Sequence, residues 1–142
     1  MEQNKPDLII NSGAFTNVDQ AELQKDLCHL INVDAPVVFA NFIKEYGGKL
    51  LQISTDYVFD GNKNSPYEPN DLTNQISVYG YTKAKAESLT EKILKQNGQI
   101  VILRTSWLMG HIGSNFINTM LKLHKKGDRF SVVYDQIGAM SS

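Results

Sequence analysis

A hydroxyl closing an apolar run, followed by a tyrosine and a lysine four residues apart, is the arrangement that carbonyl–alcohol redox chemistry needs. The chain carries it as Ser54-Thr55-Asp56-Tyr57-Val58-Phe59 and then Tyr79-Gly80-Tyr81-Thr82-Lys83. Four residues make about one helical turn, so Tyr79 and Lys83 share a face of any helix that contains them. An ammonium beside a phenol favours the phenolate and draws its pKa below the reference value of about 10. Each tenfold gain in acidity corresponds to roughly 1.4 kcal/mol, so a hundred- to thousandfold gain asks about 3–4 kcal/mol of the neighbouring cation. On this reading Tyr79 is a general acid that protonates a forming alkoxide, and the Thr55 hydroxyl holds the carbonyl oxygen. The plain alternative is a surface tyrosine packed on a lysine stem.

The elements around these residues favour the chemical reading. Residues 49–53 (Lys-Leu-Leu-Gln-Ile) read as a buried strand, short and apolar as a parallel sheet requires. Ser54 and Thr55 then stand at a strand's carboxyl end, where open α/β sheets hold their ligands. Residues 7–11 predict a first strand after Pro6, and Asn17 or Asp19 can cap a helix running to about His29. A second helix is expected from Val33-Asp34-Ala35-Pro36, with Asp34 as capping candidate and Gly47-Gly48 as its stop. Residues 60–74 form a polar loop long enough to suggest a function. Ser77 or Tyr79 starts a long helix through Lys95, ended at Asn97-Gly98. Residues 100–103 are a further strand, 115–126 an amphipathic helix stopped by Gly127, and 130–134 a last strand. The alternation predicts an α/β fold: a Rossmann-like parallel sheet with flanking helices and right-handed crossovers.

At 142 residues the chain is one domain's worth, with no dividing linker, so residues 1–142 are read as one partial catalytic domain. A net charge of −1 gives no electrostatic footprint for nucleic acid or an anionic membrane. No apolar run approaches the roughly 20 residues of a membrane helix, and no signal peptide is expected. The single Cys28 fits a reducing, cytoplasmic setting. Cys28-His29, His111 and His124 lack recognised ligand spacing, so no metal is expected. No Gly-x-Ser-x-Gly elbow argues for hydrolysis.

Several segments together resemble a known family. They are Pro6-Asp7-Leu8-Ile9-Ile10-Asn11-Ser12-Gly13-Ala14-Phe15-Thr16, Val18-Asp19-Gln20-Ala21-Glu22 and Ile31-Asn32-Val33, then residues 53–59 and 78–83. Arg104-Thr105-Ser106-Trp107, Asn115-Phe116 and Asp135-Gln136-Ile137-Gly138 complete the set in the family's order. The chain resembles the dTDP-4-dehydrorhamnose reductases, extended members of the short-chain dehydrogenase/reductase superfamily that make dTDP-L-rhamnose for cell-surface polysaccharides. The resemblance implies that Tyr79 is the catalytic acid, with Lys83 its partner and a ligand of the nicotinamide ribose. It implies that Thr55 and Asp56 meet the 4-keto oxygen, and that Trp107 contacts the sugar nucleotide. Ala14, Phe15 and Thr16 would line the cofactor, with Ile53 nearby, and NADPH or NADH would give the hydride. Without the family, Trp107 reads as core, Asp56 as a loop cap and Arg104 as the partner of a structural carboxylate.

Departures from the pattern set further expectations. The Gly-rich turn that meets a dinucleotide's pyrophosphate does not occur, since Gly110-His111-Ile112-Gly113 comes late and reads as a flexible turn. Ala139-Met140-Ser141-Ser142 departs from the family's continuation. The chain is therefore expected to be the middle of the enzyme, with little or no turnover alone, exposed strand edges and exposed apolar surface. A second copy or another chain supplying the missing part leaves a homodimer open. The competing readings are a non-catalytic regulatory or scaffolding subunit, and a sugar-nucleotide epimerase or dehydratase.

Overall fold

The computed structural model describes residues 4–110, 115–127, 129–132 and 138–141. They gather into two compact units, Met1–Arg104 and Thr105–Ser142. The first begins with strand β1 (Leu8–Asn11), helix α1 (Val18–Leu23) and helix α2 (Lys25–His29). A π-helical turn, Leu30–Asp34, leads into α3 (Ala35–Tyr46), and strand β2 follows over Lys49–Thr55. A 3₁₀ turn (Asp56–Val58), helix α4 (Val78–Leu94), a second 3₁₀ turn (Lys95–Asn97) and strand β3 (Ile100–Thr105) complete the order.

The strands form one sheet in the order β1-β2-β3, with β1 and β2 parallel and Leu8 opposite Lys49, Asn11 opposite Gln52. The Leu50 amide bonds Gln99 O at 2.7 Å, tying β2 to the entry of β3. Strands linked through helices are the α/β arrangement that the alternation predicts. On one face Leu50 packs with Ala40, Phe42 and Ile43 of α3 and with Leu94 of α4, with Ile9 and Ile100 at the margin. The opposite face is open: Leu8 is 51%, Ile10 59%, Val101 62% and Leu103 47% exposed. Three of the four expected strands stand where the pattern puts them, and β1 and β3 are covered on one side only.

The helices differ from expectation in two places. The first breaks at Gln24, whose backbone leaves helical angles (φ −119°, ψ 53°), so that the predicted single helix to His29 is α1 and α2. The second has no start at Asp34, which is itself helical (φ −68°, ψ −42°) and makes no side-chain cap. Its carboxylate instead lies 3.4 Å from His29 Nδ1. The cause of the intervening π turn is Pro36, which has no N–H to return to Asn32 O and whose ring crowds that carbonyl. The chain widens by one residue, and Ala35 N bonds Leu30 O. The resulting run, Lys25–Tyr46, is long and apolar enough by length and composition to cross a membrane, contrary to the reading that no stretch approaches this. Its Ala40, Phe42 and Ile43 belong to the core, as in a buried helix of an α/β fold.

The second unit contains α5 (Phe116–Lys126), capped by the Asn115 side chain on Asn118 N at 3.0 Å and ended by Gly127 in the left-handed region (φ 74°). Phe130, Ser131 and Val132 are in no strand, and Val133 and Tyr134 of the predicted strand lie outside the described residues. So do His111, Ile112 and Gly113 of the expected flexible turn, and Asp135, Gln136 and Ile137.

Candidate active site

β2 delivers Thr55 to the sheet's carboxyl end, 6% exposed. Its hydroxyl donates to Asp56 Oδ1 at 3.1 Å and accepts from Tyr57 N at 3.2 Å, which turns the chain out of the strand into the 3₁₀ turn. Thr55 is therefore the cap of that turn, and the Asp56 carboxylate accepts the Thr55 hydroxyl. α4 begins at Ser77, whose hydroxyl accepts from Gly80 N at 3.1 Å. Glu22 of α1 adds a second cap by accepting from Val78 N at 2.7 Å. Two acceptors on the first turn fix the placement of Tyr79.

Gly80 sets how near that turn comes to β2. A Cβ at this position would run into the Tyr57 carbonyl oxygen, so only glycine lets α4 seat on the 3₁₀ turn. The Tyr57 and Tyr79 rings meet edge to face at 5.6 Å. Spacing alone gives Gly80 no role beyond its place between Tyr79 and Lys83. The available signal was a glycine inside a strongly helical stretch.

Burial is the largest influence on Tyr79 and lifts its phenol above the usual tyrosine value; a hydrogen bond with Thr55 acts the other way and the Asp56 carboxylate adds to the rise. This overturns the expectation that Lys83 depresses it. Lys83, 4% exposed, donates from Nζ to Ile53 O at 2.7 Å, which anchors its ammonium on the end of β2. Burial holds its ammonium below the usual lysine value, opposed by Glu87. Gln52 Nε2 shares Ile53 O at 2.9 Å and its Oε1 accepts from Asn11 at 2.8 Å, linking Lys83 back to β1.

The structure thus brings Thr55, Tyr79, Lys83, Asp56 and Ile53 together at the β2 terminus. Ala14, Phe15 and Thr16 lie in the loop after β1, where Asn32 holds Phe15 by both backbone polar groups. Arg104 pairs with Glu87, Nη2 to Oε2 at 2.7 Å, and donates to Pro69 O at 3.1 Å. It is the structural partner that the plain reading gave. Its guanidinium also lies 5.1 Å over Phe59, which stacks on Tyr67 at 4.1 Å. Asp60 gathers the same loop, accepting from Asn62 N, Tyr67 OH and Asn74 Nδ2, and these bonds pull its carboxyl down to about 2.

Trp107 belongs to the second unit. It meets Phe116 edge to face at 5.3 Å, and a Cβ on Gly138 would stand 2.6 Å from its Nε1. Among the described residues it is the non-glycine with positive φ, at 47°, a costly backbone for a bulky side chain. Ser106 Oγ donates to Ala139 O at 2.6 Å and Met109 N to Ser141 O at 2.9 Å, wrapping residues 138–141 beside the indole.

A parallel sheet with a hydroxyl, a phenol and an ammonium at the carboxyl end of a strand is the architecture of the short-chain dehydrogenase/reductase superfamily. Within it, the chain belongs to the family of the RmlD substrate binding domain, whose model matches residues 1–140. It is 43% identical over 134 residues to a dTDP-4-dehydrorhamnose reductase of Aggregatibacter actinomycetemcomitans, covering 94% of this chain and 45% of that protein. A crystal structure of a Clostridium acetobutylicum dTDP-4-dehydrorhamnose reductase superposes with a TM-score of 0.91 at 40% identity, covering 99% of this chain and 49% of that one. The Bacillus anthracis reductase, solved in complex with NADP, gives 0.88 at 38% identity, with 95% and 47% covered. The chain spans about half the length of the relatives it matches.

Proposed function

We propose that these residues carry the catalytic part of an NAD(P)H-dependent reductase that reduces the 4-keto group of dTDP-4-dehydro-L-rhamnose to dTDP-L-rhamnose, a cytoplasmic step toward cell-surface polysaccharide. The observation that carries the reading is the convergence of Thr55, Tyr79 and Lys83 at the end of β2. Relatives named for this reaction, one of them holding NADP, support the substrate and cofactor class.

The donor set suits a nicotinamide ribose: a buried ammonium and a phenol one turn apart, beside a loop whose backbone is held at Phe15. When bound, the dihydronicotinamide supplies the hydride. Thr55 Oγ1 orients the carbonyl oxygen, with Asp56 beside it. The Tyr79 phenol, which burial raises above the ordinary tyrosine value of about 10, carries the proton that the oxygen takes as alkoxide charge develops. A positioned acid of this kind contributes about 10²–10⁴ in rate. Lys83, one turn along and anchored on Ile53 O, is the ligand of the nicotinamide ribose in this reading. Ala14, Thr16 and Ile53 complete the cofactor wall, and Trp107 is the sugar-nucleotide contact in this reading.

In the polypeptide that its gene encodes, Tyr79→Phe is expected to abolish NADPH oxidation with the 4-keto sugar nucleotide while NADPH still binds. Persisting turnover would remove Tyr79 as the acid and the reading with it. The 142 residues by themselves are expected to turn over little, because they contain no Gly-rich pyrophosphate turn.

A further inference from the structure

We propose that Gly138 is a positioning residue: with residues 139–141 it holds the Trp107 indole in one orientation and so sets how tightly the sugar nucleotide is bound. The inference rests on the reductase reading above, in which Trp107 is the sugar-nucleotide contact, and adds to it the residues behind that contact. Among the described residues Trp107 is the one non-glycine with positive φ, at 47°, a backbone that persists only where its surroundings enforce it. Ser141 enforces it from both sides. Its N–H donates to Ser106 O at 3.1 Å, just ahead of Trp107, and its carbonyl accepts from Met109 N at 2.9 Å, just beyond it. Ser106 Oγ donates to Ala139 O at 2.6 Å and ties down the start of the same segment.

The ring itself is gripped by two neighbours. Phe116 meets it edge to face at 5.3 Å. Gly138 lies against its pyrrole edge, where a Cβ would stand 2.6 Å from Nε1 and 2.8 Å from Cδ1. Gly138 is not among the glycines with positive φ, so the position requires glycine for space and not for backbone conformation. A tryptophan that only filled a core would be enclosed and would keep an ordinary backbone. Trp107 instead combines partial exposure with a strained backbone and a close clamp. A contact side chain held in place before binding spares the complex the cost of ordering it.

The test uses Gly138→Ala, Ser106→Ala and Trp107→Leu in the polypeptide that the gene encodes. In Gly138→Ala the KM for the 4-keto sugar nucleotide is expected to rise about three- to tenfold, with kcat within about twofold and NADPH affinity unchanged. The indole N–H resonance of Trp107, assigned by its loss in Trp107→Leu, is expected to move and broaden in Gly138→Ala. Ser106→Ala is expected to change the same two quantities in the same direction, but less. A wild-type KM in Gly138→Ala, an unmoved indole resonance, or an equal loss of NADPH affinity would overturn the proposal. Where that variant does not fold, Ser106→Ala decides on the same readouts. A wild-type KM in Trp107→Leu removes the sugar-nucleotide contact, and the binding role of Gly138 with it. Failure of the reductase reading looks different: the wild-type protein leaves the 4-keto sugar nucleotide unreduced. The indole resonance of Gly138→Ala then decides alone, movement upholding the grip on Trp107 and an unmoved signal ending it.

Discussion

The two faces of the three-stranded sheet invert the usual sorting of residues. On the helix-covered face, Asn11, Gln52, Ser54 and Lys83 are buried with Leu50 and Ile43. On the other, Leu8, Ile10, Val101 and Leu103 stand exposed. Polar groups tolerate burial only when bonded, and the covered face supplies those bonds through Gln52, Ile53 O and Asn32. Apolar groups tolerate exposure at a modest cost each, and four on one surface make a patch. The contrast teaches that the covered face holds both the stability and the chemistry, while the bare face contributes little to either.

Truncation separates them most sharply. Leu50→Ala on the covered face is expected to cost about 3 kcal/mol, and Leu103→Ala on the bare face less than about 1 kcal/mol, read from denaturant midpoints. Equal losses would show that the bare face is buried in solution. Gly80→Ala comes next, at about 2–3 kcal/mol, because the added Cβ meets a backbone carbonyl that cannot step aside. The loss should appear together with altered Tyr57 and Tyr79 ring resonances; a wild-type midpoint would dissolve the close approach of α4. Arg104→Met, which leaves Glu87 buried without its partner, is expected to cost about 2 kcal/mol and to loosen residues 59–74 in hydrogen exchange. The smallest effect lies away from both faces. Asp60 has its folded carboxyl lowered to about 2, so its support of the loop is complete above the ordinary carboxylate range near 4 and is lost as pH falls through about 2. Asn74 and Tyr67 resonances tracked down in pH check this; a midpoint near 4 would contradict the bonds at Asp60.

Much of this was legible in the residues. The three strands, the helix start at Ser77, the helix over 115–126 and the Gly98 and Gly127 stops arise from apolar runs and capping chemistry, and the structure places each within a residue or two. The meeting of Thr55 with α4 came from the strand-end rule. The features that escaped were set by tertiary geometry. Asp34 has a good capping side chain, but the widened turn before Pro36 keeps its backbone helical. Helical spacing puts Lys83 on the face of Tyr79, yet cannot show that a strand carbonyl takes its ammonium. Periodicity marks β1 and β3 as apolar without saying how many of their faces are covered. Asn32 stands within one of the family segments, but only the fold brings it to Phe15 and Thr82.

Trp107, the sole tryptophan, sits in Thr105–Ser142 against Phe116 and Gly138. Its fluorescence therefore reports on that unit, whereas Met1–Arg104 emits through tyrosines alone. Excited at the indole band or monitored by far-ultraviolet dichroism, the same sample gives two melting curves, and their separation measures how far the two units unfold as one.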